Sequence, residues 1–207
     1  MSRLIITTFL SLDGVMQAPG APGEDTSGGF TQGGWTFPYA DEDFGRFVIE
    51  WIAEADGFLL GQKTYEIFAA YWPGITDPGN PVAKALNRLP KYVVSSTMDK
   101  AQWNNTTIIR GNVVEEIKRL KEKPGRELQV HGSGVLAQTL MNNDLVDEYR
   151  LWFYPVILGN GKRLFPTGIR PKAFKLTAVK TTGKGIVVTT YLPAGKPAYG
   201  SFVSDKK

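Results

Sequence analysis

"DGFLLGQKTYEIF", residues 56–68, changes its period at the middle. Phe58, Leu59 and Leu60 form an apolar run of the kind found in buried strands, and Gly61 ends it. From Gln62 the pattern is helical, with Lys63 and Thr64 in the first turn. A buried strand thus delivers a glycine, a cation and a hydroxyl to the exposed start of a helix. Similar chemistry recurs twice. "YVVSST", residues 92–97, ends a strand in Ser95, Ser96 and Thr97, and "VHGSGVLAQ", residues 130–138, puts Gly132, Ser133 and Gly134 between a strand and a helix.

Outward from these junctions, strand and helix patterns alternate along the chain, as in a layered α/β domain. Arg3 to Leu10 reads as a β-branched strand. Phe44, Phe47, Val48, Trp51, Ile52 and Ala55 keep the three-four spacing of an amphipathic helix from Asp41 to Ala55, which leads straight into a strand at Gly57 to Leu60. A helix follows at Lys63 to Tyr71. Asn80 and Pro81 start another that stops before Pro90. Strands are expected at Lys91 to Ser95 and Thr106 to Arg110. Asn112 caps a helix through Glu122, ended by Pro124-Gly125. Glu127 to His131 is a strand, "VLAQTLM" a helix, and Val146 to Leu158 a long aromatic strand. Phe174 to Thr182 and Ile186 to Leu192, joined by "TGKG", read as an antiparallel hairpin. The sheet should be mixed, parallel through its crossovers and antiparallel at its C-terminal edge.

With 207 residues, 42% of them hydrophobic, the chain suits a single core. One domain is expected over residues 1–192, followed by a loosely ordered polar tail, 193–207. Residues 17–40 form a long Gly- and Pro-rich loop that nonetheless carries Phe30, Trp35, Phe37 and Tyr39. A lid or pocket wall is the expected role. The absence of cysteine excludes disulfide and thiolate chemistry and points to a reducing cytoplasm. A single histidine, His131, excludes a histidine-rich metal site and leaves only one place for a Ser-His-Asp triad. Neither a secretory signal nor a membrane-spanning run is legible. The net charge of +4 suits an anionic small molecule. The basic run at residues 115–126 is interleaved with glutamates and reads as a solvated helix face rather than a nucleic-acid surface.

Helix starts present unpaired N–H groups and partial positive charge, so they hold anionic oxygen, and glycine permits close backbone approach. In open α/β sheets such turns gather at the carboxyl ends of the strands. Each turn taken alone has a structural reading: Gly61 ends a strand, Thr64 caps a helix, and Gly132-Ser133-Gly134 makes a tight turn. Their ordered series favours one extended ligand with several phosphates. Neither a Rossmann G-x-G-x-x-G after the first strand nor a P-loop is present.

Five segments in order, "SLDGVM", "LLGQKTYE", "YVVSS", "VHGSGVLAQTL" and "LVDEYRLWFYPVILGNGKRLF", resemble the dihydrofolate reductase-like family. Within it the chain is most similar to the riboflavin biosynthesis reductase, the C-terminal half of the bifunctional deaminase-reductase, over about residues 3–192. The resemblance implies a three-layer α/β/α fold with a mixed, mainly parallel sheet, NADPH along the strand ends, and a homodimer, for which strand 146–158 is a candidate interface. Gly61, Lys63 and Thr64 would hold the pyrophosphate and adenosine side. Ser95 and Ser96 would lie by the adenine ribose and its 2'-phosphate, and Gly132, Ser133, Gly134, Val135 and Leu136 would cradle the pyrophosphate. The family pattern Gly-Arg-x-Thr has Gln62 in the arginine's place, which leaves NADH open as the cofactor. The Cys and His pattern of a zinc deaminase is absent.

Hydride transfer needs a flat pocket and a proton source. The candidate acids are Asp13, in "SLDG", and Asp41 and Asp43, at the start of the first helix. Asp41 lies three residues before Phe44, so a helical wheel turns it toward the apolar face, where desolvation would raise its pKa. An acidic run opening a helix is equally explained by capping. Trp35, Phe37, Phe44 and Phe47 are candidate pocket rings. Arg46 resembles a substrate-contacting arginine of the riboflavin-pathway reductase, and His131 reads as structural. The expected activity is NAD(P)H-dependent reduction of a small heterocycle: first the sugar of a ribosylaminopyrimidine, second a pteridine. A nucleotide-binding sensor without turnover is the alternative.

Overall fold

The computed structural model describes residues 1–202. One eight-stranded sheet has the order β4-β3-β2-β5-β1-β6-β8-β7. Its strands are β1 (Arg3–Ser11), β2 (Ala55–Gly61), β3 (Lys91–Val94), β4 (Thr106–Ile109), β5 (Glu127–His131), β6 (Glu148–Tyr154), β7 (Phe174–Thr181) and β8 (Val187–Pro193). All pairings from β4 to β6 are parallel, while β8 is antiparallel to both β6 and β7. The mixed sheet is the expected one.

Three helices, α1 (Glu42–Ile52), α2 (Gln62–Tyr71) and α3 (Pro81–Arg88), cover one face. Two others, α4 (Val113–Glu122) and α5 (Gly134–Asn142), cover the opposite one. Side chains alternate across a strand, so Phe58 and Leu60 meet Tyr65 and Leu86, while Leu59 joins Ile117, Leu136 and Leu140. Burial from both sides explains why Leu4–Ile6 and Phe58–Leu60 are continuous apolar runs. Gly61 pairs with Val94, and Phe58 with Gln129, so β3, β2 and β5 end side by side.

Four expectations change. The helical pattern to Ala55 stops at Ile52, because Ala55 pairs with Glu127 and already belongs to β2. The long aromatic strand is only Glu148–Tyr154, ending before Pro155, which has no N–H to donate. That strand also lies between β1 and β8 and is largely buried, so it cannot serve as an outer dimer face. The tail begins in order: Ala194 N–H donates to Ala173 O at 2.8 Å, and Ala173 N–H to Gly195 O at 2.9 Å. Residues 203–207 of the expected tail lie outside the described residues. Among the described residues no helix is long and apolar enough to cross a membrane.

Candidate functional site

The β2–α2 and β5–α5 turns are stitched together. Gly61 N–H donates to Ser133 Oγ at 3.0 Å, Ser133 N–H donates to Thr64 Oγ1 at 3.1 Å, and Ser133 Oγ donates to His131 O at 2.8 Å. Gly132 and Ser133 both adopt left-handed backbone, with φ of 54° and 53°. Glycine suits this backbone at Gly132, while the space there would admit a Cβ, 3.5 Å from Thr64 Oγ1. Ser133 accepts the same conformation because its hydroxyl and N–H are held by three hydrogen bonds.

Helix caps separate these two junctions from the other helices. Asp41, Asn80 and Asn112 cap α1, α3 and α4 by accepting from Phe44, Ala83 and Glu115 N–H. At α2 and α5 no side chain caps the helix among the described residues. The first-turn donors of both helices are therefore free for a ligand at one sheet edge.

The third turn adjoins them. Ser95 Oγ donates to Gln62 Oε1 at 2.5 Å, Thr97 Oγ1 donates to the same oxygen at 2.9 Å, and Gln62 Nε2 donates to Glu66 Oε1 at 2.8 Å. Ser96 is exposed. On the first turn of α5, Val135 is 81% exposed while Leu136 turns into the core. Gly134 packs under Met16, whose Sδ lies 3.1 Å from where a Cβ would stand. Lys63 points toward the long loop and pairs with Asp25 at 3.8 Å.

Beside these turns, Thr7, Phe9 and His131 stay partly accessible although β1 and β5 are central strands. Phe44 packs 5.9 Å from Phe9, and Phe68 lies 6.3 Å from His131. Trp152 and Tyr154 back Phe9 edge-on, each at 5.5 Å. The Tyr154 hydroxyl is buried without a partner among the described residues, and burial, with Asp41 nearby, raises its pKa. Phe9, Phe44, Phe68 and His131 thus keep part of their ring surface accessible, and flat faces of this kind suit a heterocycle.

A buried ion network sets the state of His131. The Arg150 guanidinium bridges Glu127 at 2.5 Å and Glu148 at 2.7 Å, and it lies 5.0 Å from the Trp51 ring. Gln129 Nε2 donates to Glu127 Oε2 at 2.8 Å and to Trp51 O at 2.7 Å, which leaves Gln129 Oε1 facing His131 Nε2 at 3.1 Å. An amide oxygen only accepts, so Nε2 carries the proton and Nδ1 is a bare acceptor. Burial, and secondarily the Arg150 charge, push the His131 pKa down to about 4. Between about pH 4 and 6.5 the unfolded chain binds a proton that the folded chain does not. Stability should therefore rise with pH across that window, by a total on the order of 3 kcal/mol. Unfolding of wild type and His131→Phe at pH 4.5 and 7 checks this: the pH dependence should shrink in the variant, and an unchanged dependence refutes it.

The remaining candidates are scattered differently. Asp41 is the N-cap of α1, with φ −145°, so it is not on the helical wheel at all. The expectation of a raised pKa is overturned: the N–H groups of Phe44 and Lys184 hold its carboxyl below the usual range. Asp43 Oδ2 accepts from Gly183 N–H at 3.2 Å, so Asp41 and Asp43 together pin the β7–β8 turn to α1. Asp13 resists its partial burial. Hydrogen bonds from Ser11 Oγ and from Leu158 and Gly159 N–H bring its pKa down to about 2. It fastens the Gly159–Gly161 turn to the end of β1.

Arg46 lies on the surface between Asp43 and Glu50. Phe47 is core against Trp152. Phe37, expected as a pocket ring, is 81% exposed on a short 3₁₀ turn and faces solvent. Trp35 is buried, donating Nε1–H to Gln17 O at 2.8 Å and packing 5.2 Å from Tyr154, so it anchors the long loop to the core.

One charged residue of that loop escaped the sequence reading. Asp25 is buried between Lys162 at 2.7 Å and Lys63 at 3.8 Å, and despite its burial the bonds from Lys162 and Ser27 bring its pKa to about 2. An acid in a Gly- and Pro-rich loop, with "GNGKR" elsewhere to receive it, was the available signal.

Residues 2–188 match the family model described as the RibD C-terminal domain. The chain belongs to this family. The RibD C-terminal domain relative YyaP, an uncharacterized protein of Bacillus subtilis (strain 168), is 30% identical over 191 residues, covering 91% of this chain and 94% of YyaP. A candidate riboflavin biosynthesis protein from Shewanella sp. PV-4 superposes with a TM-score of 0.69 at 24% identity, over 92% of this chain and 98% of that one. Dihydrofolate reductase from Enterococcus faecalis, solved with NADP(H), superposes with a TM-score of 0.59 at 17% identity, over 93% and 96% of the two chains. The RibD C-terminal domain of this chain thus has the dihydrofolate reductase-like fold.

Proposed function

We propose that this chain is a reductase that holds a reduced nicotinamide dinucleotide across the β3, β2 and β5 turns and reduces a small heterocyclic substrate beside the accessible rings of Phe9, Phe44 and His131. The observation that carries the reading is the pair of uncapped helix starts, α2 and α5, meeting at stitched turns. A pyrophosphate needs convergent N–H donors and close backbone approach, which these turns and Gly132 offer. The fold shared with a dihydrofolate reductase solved with NADP(H) supports the same cofactor class.

A bound reduced nicotinamide supplies the hydride. The chain's own residues orient the substrate, and the proton that completes the reduction is taken from solvent water. Phe9 and Phe44 give flat apolar faces, the bare Nδ1 of His131 accepts from a ring N–H or a sugar hydroxyl, and Trp35 anchors the long loop. Asp13 and Asp41 are held ionised, which suits them to fixing the walls rather than to releasing a proton at neutral pH. A ribosylaminopyrimidine of the riboflavin pathway is the first substrate proposed, and a pterin the second.

That use of the carboxylates favours one second reading, a sensor that binds the dinucleotide without turnover. Oxidation of NADH and NADPH, followed at 340 nm with a ribosylaminopyrimidine and with dihydropterins, separates the two. Substrate-dependent oxidation supports the reductase; tight binding with no oxidation supports the sensor; absence of binding removes both.

A further inference from the structure

We propose that the adenosine end of this site is built for a dinucleotide with a free ribose 2'-hydroxyl, NADH, and disfavours a 2'-phosphate. The inference rests on the reductase reading above and names the cofactor of that same site.

The direction of the ligand follows from the sheet. With the pyrophosphate at the starts of α2 and α5, the nicotinamide end must reach the partly accessible Phe9 and His131, on the β1 side. The adenosine end then runs the other way, past β2 to the turn after β3. The groups waiting there are Gln62, Glu66, Ser95, Ser96 and Thr97.

Their chemistry is that of diol recognition. Gln62 Oε1 already collects the Ser95 and Thr97 hydroxyls, and Gln62 Nε2 donates to the Glu66 carboxylate. A ribose diol brings two O–H donors, which the Glu66 carboxylate, with Oε2 still unpaired by Gln62, can accept. A phosphate brings acceptors and negative charge, and it would stand beside Glu66.

The local cations do not offset that charge. Lys63 is turned to Asp25 at 3.8 Å. The Arg110 guanidinium donates to the carbonyls of Met98 and Asp99. The first turn of α5 offers the exposed isopropyl group of Val135. Lys100 is the cation that lines the same cleft as Gln62 and Glu66, and it belongs in the test.

Quenching of tryptophan fluorescence by NADH and NADPH gives both dissociation constants for the full chain. NADH should bind about tenfold or more tightly than NADPH, and the Gln62→Arg, Glu66→Gln double variant should reverse the order. Adenosine 5'-diphosphate should likewise compete better than adenosine 2',5'-bisphosphate. Equal or tighter NADPH binding by the wild type overturns the inference and leaves the reductase reading standing, as does a selective loss of NADPH binding in Lys100→Ala. Failure of both dinucleotides to bind removes the reductase reading itself and the inference with it.

Discussion

Arg150→Met is expected to lower the unfolding free energy by about 3–5 kcal/mol. The guanidinium is 7% exposed and holds Glu127 and Glu148, themselves 5% and 7% exposed, while Trp51 covers it. Methionine fills similar space but leaves the buried Glu127 carboxylate without a counter-charge and Glu148 with Arg3 alone. Desolvating an unpaired charge costs far more than losing the pair's attraction, so most of the effect comes from the residues left behind. Adding Glu127→Gln should therefore recover much of the loss, since Glu148 keeps its pair with Arg3. Urea unfolding of the three proteins checks both parts. A single variant within about 1 kcal/mol of wild type would mean that the network contributes little.

Gly132→Val should weaken binding of a reduced nicotinamide dinucleotide about a hundredfold or more. A β-branched residue at φ 54° is strained, and because its Cβ would already stand in contact with Thr64 Oγ1 at 3.5 Å, its methyl groups would press on the atom that receives Ser133 N–H. Once that bond opens, the α5 start moves off the α2 start and the donors no longer converge. Each charge-assisted hydrogen bond lost to a phosphate is worth about 1.5–3 kcal/mol, so two suffice for the expected loss. Thr64→Val removes the same acceptor without backbone strain, so it separates the two causes. Fluorescence titration, with circular dichroism to confirm folding, measures the effect. A folded Gly132→Val protein whose affinity stays within about threefold of wild type would place the ligand elsewhere.

What could be read from the residues was local. Phe58, Leu59, Leu60 and Gly61 announce a strand buried on both faces and its end, and Asn80 with Pro81 announces a helix start, because each signal is set by neighbours within a turn. The strand-end position of the three junctions followed from parallel crossovers alone. The failures are non-local. Whether Ala55 is the last residue of a helix or the first of a strand is decided by Glu127, far along the chain. Asp41 was placed on a helical wheel that begins only after it, since an N-cap has extended backbone. The alternation Glu127, Gln129, His131 marks one face of β5, but the tautomer of His131 depends on Arg150 and Trp51, which only the sheet order brings there. Phe37 and Trp35 are alike in sequence, yet one faces solvent and one packs on Tyr154, because the path of a 24-residue loop, residues 17–40, is not periodic.

The central claim is that three separate turns grip one dinucleotide, and backbone amide hydrogen exchange with and without saturating NADH or NADPH tests it most directly. Protection should concentrate at residues 61–64, 95–97 and 132–136 together. Protection that misses one of these turns, or that falls on α3 and α4 instead, contradicts a shared site.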